Sequence, residues 1–195
     1  MVAFFVGSIN PATIVARVLG RDLAVSGSGN PGATNAGRVL GVRWGVVVGV
    51  LDVAKGLVPT YLALRLGGVQ LAYLVGVAAV LGHVFSPYLR GRGGKGVATA
   101  LGAVVGVQPL FGLAMLVVFG IVLALGRWVA GASLSAAATL AVLGALAGAG
   151  LIGGVELAGG GWWTTVWAVV LAGIVVGRHR ANVVGWWRAR GMLRS

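Results

Sequence analysis

The chain has 195 residues, of which 58% are hydrophobic and only 9% charged, and its formal net charge is +12. A soluble domain carries about 25% charged residues, so the composition excludes an ordinary soluble fold and predicts an all-α integral membrane protein. The absence of cysteine, with only two histidines and three acidic residues, excludes thiolate chemistry and argues against a metal centre. We therefore expect a tight bundle of membrane helices, which the 36 glycines suit.

We predict a single membrane domain with seven transmembrane helices, since a span needs about 20 apolar residues. The N-terminal apolar segment has no basic region before it, so we expect a retained first span and not a cleaved signal peptide. The fourth span is short, and Gln108-Pro109 separates it from the fifth. The predicted spans are 2–20, 39–64, 69–86, 95–107, 109–126, 130–152 and 162–177.

The basic residues set the predicted orientation. With seven spans and the N-terminus outside, nearly all of the 15 lysines and arginines face the cytoplasm, as the positive-inside rule requires. A single span over 95–126 would turn the C-terminal arginines outward, so we keep the break and place the C-terminus in the cytoplasm. Three polar segments, 17–38, 83–99 and 178–194, then share the cytoplasmic face. The net charge is attributed to these loops, and no nucleic-acid partner is expected.

The first polar segment contains SGSGNPGATN at 26–35, followed by Arg38. Glycines permit positive φ and close approach of a ligand, and successive N–H groups in such turns bind anions. We expect Thr34 or Asn35 to cap the helix of the second span, with Arg38 in its first turn. A cation there opposes the helix dipole unless an anion lies between them. A plain interfacial turn would also account for the charge, but it accounts less well for the crowded glycines and hydrogen-bonding side chains, so both interpretations stay open.

The second polar segment is GHVFSPYLRGRGGKGVAT at 82–99. It repeats the design of the first: a glycine-rich turn, a cation at Lys95, and then a helix. The pattern is not a P-loop, which requires G-x-x-x-x-G-K-[ST]. His83 lies near the same interface, and a histidine at that place is more often a helix-end residue than a catalyst.

The third polar segment is RHRANVVGWWRARG at 178–191. His179 and Asn182 share a helix face, while Trp186 and Trp187 suit the membrane interface. For the arginines after 185 we favour a basic, tryptophan-anchored tail. The roles of His179 and Asn182 stay open on physical grounds alone.

Asp52 and Lys55 lie inside the second span, in LDVAKG. Ionisable groups within a span are costly and are usually paired or functional. We interpret the two residues as an internal ion pair that braces the bundle. Together, the two glycine–cation turns and the apolar bundle indicate an enzyme or binding protein for phosphorylated, lipid-linked substrates, without specifying a reaction.

These segments resemble the bacterial acyl-phosphate-dependent glycerol-3-phosphate acyltransferases, the PlsY family, from GSIN at 7–10 to the C-terminal tail. The resemblance rests on GSGNPGATN with Arg38, LDVAKG, GHVFSPYLRGRGGKGVAT and RHRANV, in that order. It implies a multi-span protein of the bacterial inner membrane with a cytoplasm-facing active site. Its substrates would be acyl phosphate and glycerol 3-phosphate, its products lysophosphatidic acid and phosphate, and it would use no cofactor and no metal.

The resemblance implies that Ser28 and Arg38 hold a substrate phosphate, while Asn30 and Asn35 shape their loop. Members of the family usually read D-[IL]-R before this loop, whereas this chain has Ala24 in place of the arginine. That departure keeps open a divergent member with a different acceptor or without activity.

The resemblance also implies that Gly93, Gly94 and Gly96 admit the acyl phosphate and that Lys95 compensates its charge. An acyl phosphate is an activated mixed anhydride, so positioning and charge stabilisation can supply most of the acceleration. The His-x4-Asp pair of other glycerol-phosphate acyltransferases is absent from the sequence.

His179 and Asn182 are implied to orient glycerol 3-phosphate, although the acidic residue that commonly ends this motif is missing. The general base stays open between His83, His179 and a phosphate oxygen of the substrate, and we favour the phosphate. Two other readings compete with the enzyme: an organic-phosphate transporter and a silent lipid-binding homologue. Transporters place polar groups near mid-membrane, whereas here polarity concentrates at one face, which favours the enzyme.

Overall fold

The computed structural model describes residues 1–152 and 161–189, and within these ranges the chain is built from helices. The prediction of an all-α protein is confirmed. The segment that contains Glu156 and the arginines at 190 and 194 lie outside the described residues. The elements are α1 (Val2–Ser8), α2 (Pro11–Val18), α3 (Ala33–Leu40), α4 (Val42–Val84), a 3-10 turn (Pro87–Leu89), α5 (Val97–Val107), α6 (Pro109–Gly126), α7 (Val129–Gly148), α8 (Trp162–Arg178) and α9 (Arg180–Ala189).

Among the described residues, three helical segments are long and apolar enough to cross a membrane: Val42–Leu89, α6 and α7. The bent pair α8–α9 makes a fourth when it is counted as one span. The first of these segments is a hairpin, because Gly68 adopts φ 78° and ψ −175° inside α4. Thr60 and Gly76 flank Gly68 at equal separation, and a straight helix would hold them about 24 Å apart. A Cβ built on Gly76 would nevertheless lie 3.3 Å from Thr60 Oγ1, so the chain turns back at Gly68.

The predicted first span, 2–20, is interrupted between α1 and α2. Asn10 has an extended backbone, with φ −112° and ψ 98°, as expected of a residue that precedes proline. Its side-chain oxygen accepts a hydrogen bond from Thr13 N at 2.8 Å and caps α2, in which Pro11 occupies the first turn.

The helix after the glycine-rich loop, α3, is separate from α4, because Gly41 lies between them with a non-helical backbone at φ 101°. Gly32 is the N-cap residue of α3, so the prediction that Thr34 or Asn35 caps this helix is wrong. Arg38 lies in the last turn of α3 and not in the first turn of the second span. A cation in a last turn is favoured by the helix dipole, so this position does not by itself require an anion.

α5 and α6 form a second hairpin around Gln108, whose backbone is not helical (φ −130°, ψ 75°) and which is followed by Pro109. A Cβ on Gly112 would collide with the side chain of Val105, which places the two helices against each other near the turn. α5 has 11 residues, fewer than the roughly 17 that a straight span needs, so its crossing of the membrane stays a prediction.

Glycines allow the helices to pack at backbone distance. A Cβ on Gly102 would collide with the carbonyl oxygen of Val53, and one on Gly106 would lie 3.1 Å from that of Leu57. From the first contact to the second, the residue number rises by four on both helices. α5 therefore runs parallel to the first half of α4. This packing places the residues before α5, including Lys95, at the same end of the bundle as Asp52.

Candidate active site

A cavity of about 810 Å³ lies where residues of the three polar segments meet. Ten of the residues singled out from the sequence line it: Ser28, Asn30, Asn35, Arg38, Asp52, His83, Lys95, Gly96, His179 and Asn182. Gly93, Gly94 and Lys55 do not line it. Apolar side chains of α4, α5 and α6, including Val50, Leu101 and Phe119, form the rest of the wall, so one cavity joins a polar end to an apolar pocket.

The first glycine-rich loop is ordered by the fully buried side chain of Asn35. Its Oδ1 accepts a hydrogen bond from Ser28 N at 2.8 Å, and its Nδ2 donates to Ser26 O at 3.0 Å. Gly27 has φ +62°, and a Cβ there would collide with Asn35 Oδ1, so this position requires glycine. Asn35 thus holds the loop that presents Ser28 and Asn30 to the cavity.

The second glycine-rich turn packs directly on the end of α4. Gly93 N donates to Val84 O at 3.0 Å, and Gly94 N donates to His83 O at 3.2 Å. A Cβ on Gly93 would collide with the carbonyl oxygen of His83, and one on Gly94 would collide with His83 Nε2. These two glycines therefore lie behind the cavity wall, and their tight packing holds Lys95 at the cavity.

The third segment is joined to the second by two polar contacts. Lys95 Nζ donates to Asn182 Oδ1 at 2.6 Å, and the Arg178 guanidinium donates to Gly93 O at 3.0 Å. The chain bends by 48° between α8 and α9, at His179. This bend turns Asn182 toward Lys95.

His179 is 1% exposed, and its Nδ1 lies 2.8 Å from Val175 O. Because a carbonyl oxygen only accepts, Nδ1 carries a proton, and in the neutral ring Nε2 is an acceptor. Burial lowers the pKa of His179; the bond to Val175 opposes that effect, and the charge of Lys95 adds to it. The neutral ring therefore predominates at pH 7, and its Nε2 can accept a hydrogen bond from a hydroxyl group.

Lys95 lies in the loop before α5. Burial lowers the pKa of its ammonium group, and the nearby charge of Arg178 lowers it further. An anion in the cavity would relieve both effects, because it would supply the opposite charge that Lys95 lacks.

Asp52, Lys55 and His83 form a buried cluster at the floor of the cavity. Lys55 Nζ lies 2.9 Å from Asp52 Oδ1 and also donates to Ile9 O at 2.7 Å, which ties the end of α1 to α4. His83 Nδ1 lies 3.5 Å from the same Asp52 oxygen. Lys55 therefore neutralises the Asp52 carboxylate from outside the cavity. Within the described residues, no three His, Asp or Glu side chains group closely enough to hold a metal ion.

Sequence reasoning missed the contribution of the turn between α6 and α7. Arg127 and Trp128 both line the cavity, and Trp128 stacks on Trp186 of α9 with ring centroids 5.3 Å apart. In the sequence, Arg127 is a lone cation between two apolar helices, which the positive-inside rule alone explains. Its only local signal was the aromatic residue beside it.

Comparison with known proteins identifies the family. A family model described as glycerol-3-phosphate acyltransferase matches residues 1–189. The glycerol-3-phosphate acyltransferase of Geotalea daltonii is 41% identical over 183 residues, which are 93% of this chain and 88% of that protein. The enzyme of Pseudomonas aeruginosa is 38% identical over 189 residues, 94% of this chain and 91% of the other.

Two crystal structures of PlsY, described as an integral membrane glycerol 3-phosphate acyltransferase, share this fold. The glycerol 3-phosphate form gives a TM-score of 0.86 at 33% identity and covers 99% of this chain and 91% of its own. The lysophosphatidic acid form gives 0.83 at 32% identity and covers 98% and 90%. The resemblance inferred from the sequence is confirmed, and this chain belongs to the PlsY family of glycerol-3-phosphate acyltransferases.

Proposed function

We propose that the protein is a membrane acyltransferase that moves a fatty acyl group from acyl phosphate to a hydroxyl of glycerol 3-phosphate. The products are lysophosphatidic acid and phosphate. One observation carries the proposal: a single cavity joins the cations Arg38 and Lys95 to an apolar pocket. Two phosphorylated substrates, one of them with a fatty chain, need that combination. The names of the relatives, and the glycerol 3-phosphate form of PlsY, support the acceptor.

In the proposed step the glycerol hydroxyl oxygen attacks the acyl carbonyl carbon. The bond between that carbon and the phosphate oxygen breaks, and its electron pair leaves on the phosphate. The hydroxyl proton passes to a phosphate oxygen of glycerol 3-phosphate, so the substrate supplies its own base. The protein contributes position and fixed positive charge, which stabilise the oxyanion and the departing phosphate.

In this mechanism Ser28 and Arg38 hold the phosphate of the acceptor, in the loop that Asn30 and Asn35 shape. Asn30 and Asn35 differ in their exposure, since Asn35 is buried and Asn30 is half-buried at the cavity. The order that Asn35 gives to the loop supports a preformed phosphate site.

The donor phosphate lies at Lys95, beside Gly96. Gly96 is the N-cap residue of α5, with φ +82°, and lines the cavity, which supports a close approach of the donor to the backbone there. His179 and Asn182 orient glycerol 3-phosphate, with the neutral Nε2 of His179 accepting a hydrogen bond from the hydroxyl that does not react.

The protein is further proposed to cross the bacterial inner membrane seven times, with the N-terminus outside and the cavity facing the cytoplasm. The hairpins at Gly68 and Gln108 support this path, since each reverses the chain at the end opposite the cavity. Because the chain has no cysteine, a single Leu110→Cys variant, at an exposed residue beside the Gln108 turn, can be probed cleanly. Labelling by an impermeant reagent from outside is expected, and protection from outside with labelling from inside would contradict the topology.

The function is tested by mixing the purified protein with palmitoyl phosphate and glycerol 3-phosphate. Lysophosphatidic acid is expected, and Lys95→Ala and Arg38→Ala should abolish it. Arg65→Ala is the matched control, because Arg65 is an exposed cation that bonds Tyr61 outside the cavity. Failure to form product with any acceptor, together with phosphate flux into liposomes, would replace the enzyme by a transporter.

The proposed base is tested with His83→Gln and His179→Gln, each assayed across pH. Transfer by the substrate phosphate predicts that both variants keep the pH profile of the wild type, even where orientation is lost. A large loss of rate accompanied by the loss of a histidine-like titration in either variant would instead assign the base to that residue.

A further inference from the structure

The turn between α6 and α7 forms part of the cavity but has no role in the mechanism above. Arg127 adopts a left-handed backbone, with φ 48° and ψ 24°, as the C-cap residue of α6. Glycine would fit this conformation without strain, and non-glycine residues held in it concentrate at functional sites. The side chain of Arg127 is exposed and lines the cavity.

Two contacts fix this turn relative to Lys95. Trp128 stacks on Trp186 of α9, with 14° between the ring planes. The same helix carries Asn182, whose Oδ1 accepts the hydrogen bond from Lys95. Lys95 and the neighbour of Arg127 are therefore held by one short helix, so both cations border the same end of the cavity.

The residues along α6 show how the cavity changes from its charged end to its apolar pocket. Met115, Leu116 and Phe119 line the cavity ahead of Arg127 in the sequence. At 1.5 Å per residue, Phe119 lies about 12 Å along the helix axis from Arg127. A ligand with an anionic head at Arg127 and an apolar tail over Phe119 and Leu116 matches this order.

The charge of the cavity leaves room for such a ligand. Asp52 contributes a carboxylate to the wall, but Lys55 pairs with it at 2.9 Å. Arg38 and Lys95 together bring two positive charges, whereas two phosphorylated substrates bring up to four negative charges. Arg127 supplies a third cation, and among the described lining residues no acid pairs with it.

We propose that Arg127 binds the phosphate of the acyl donor together with Lys95, while the donor's chain lies along α6. This inference rests on the proposed function. When the acyl carbon–oxygen bond breaks, the electron pair stays on that phosphate, so the same guanidinium also holds the product phosphate. A planar guanidinium binds two phosphate oxygens at once, which an ammonium group does not.

The test compares Arg127→Gln and Arg127→Lys with Arg90→Gln. Arg90 is a matched control, since it is also exposed and left-handed, with φ 52°, but lies outside the cavity wall. Four quantities are measured: the KM of palmitoyl phosphate, the KM of glycerol 3-phosphate, and the inhibition constants of inorganic phosphate and of lysophosphatidic acid. Binding of a non-transferable palmitoyl phosphonate is measured separately.

Arg127→Gln is expected to raise the KM of the donor about tenfold and to weaken phosphate inhibition by a similar factor, as the loss of a charge-assisted contact implies. The KM of glycerol 3-phosphate and inhibition by lysophosphatidic acid should change less than about twofold, and Arg127→Lys should give a smaller effect in the same direction. Arg90→Gln should match the wild type.

A rise in the KM of glycerol 3-phosphate alone would assign Arg127 to the acceptor and overturn the proposal. Unchanged constants in Arg127→Gln, or equal changes in Arg90→Gln, would overturn it as well. If Arg127→Gln does not fold, the KM values and inhibition constants of the Arg127→Lys variant test the proposal instead. A wild type that binds the phosphonate but forms no product would refute the proposed function, and the loss of phosphonate binding in the variants would still test the site.

Discussion

Replacing Asn182 by alanine removes the hydrogen bond that joins the second and third polar segments. Asn182 Oδ1 lies 2.6 Å from Lys95 Nζ, and Lys95 is partly buried, so its charge loses an oriented acceptor. A hydrogen bond to a charged group contributes about 1.5–3 kcal/mol. Each 1.4 kcal/mol corresponds to about tenfold in an equilibrium or rate constant, so the effect should lie between about tenfold and about a hundredfold.

The assay is kcat/KM for lysophosphatidic acid formation by the purified variant. Asn182→Asp is the informative partner, because it keeps an oxygen for Lys95 but adds a negative charge that competes with the substrate phosphate. It should fold like the wild type and yet lose activity. Arg188→Gln, an exposed residue on the same helix, should leave kcat/KM unchanged. An Asn182→Ala variant within about twofold of the wild type would mean that this hydrogen bond does not position Lys95 for catalysis.

Three further outcomes follow from the same contacts. Gly94→Ala should lower activity at least tenfold, since its Cβ would collide with His83 Nε2 and displace the turn that carries the cavity lysine; a wild-type rate would contradict this packing. Lys55→Met should destabilise the protein by about 3–5 kcal/mol, because it removes the positive charge that lies 2.9 Å from the buried Asp52 carboxylate; Asp52→Asn added to it should recover part of the loss in thermal unfolding. Burial lowers the pKa of His179, so the unfolded chain binds a proton more readily below about pH 6.5, and the melting temperature should fall with acidification; a slope that is unchanged in His179→Gln would argue against this assignment.

The helical nature of the chain and the break at Gln108 could be predicted because each has a local cause. Apolar composition predicts helices in a membrane, and a proline ends the helix before it. Residues from the three polar segments do meet in one cavity, which their placement between apolar stretches suggested. Their meeting still depends on the hairpin at Gly68, a glycine that no local pattern distinguishes from its neighbours.

Other features could not be predicted because they depend on contacts between distant segments. Gly41 separates α3 from α4, so Arg38 ends a short helix and does not begin a long one. Gly93 and Gly94 resemble a phosphate-binding turn in sequence, yet the structure uses them to approach His83. Arg127 lines the cavity beside Trp128, which stacks on Trp186 of α9, a contact between segments that are far apart in the sequence.

The stoichiometry of the reaction catalysed by the purified protein decides whether it transfers an acyl group between the two proposed substrates. With palmitoyl phosphate and glycerol 3-phosphate, lysophosphatidic acid and inorganic phosphate should form in equal amounts, each requiring both substrates. Phosphate release in the absence of glycerol 3-phosphate, or lysophosphatidic acid formed from palmitoyl-CoA and not from palmitoyl phosphate, would contradict it.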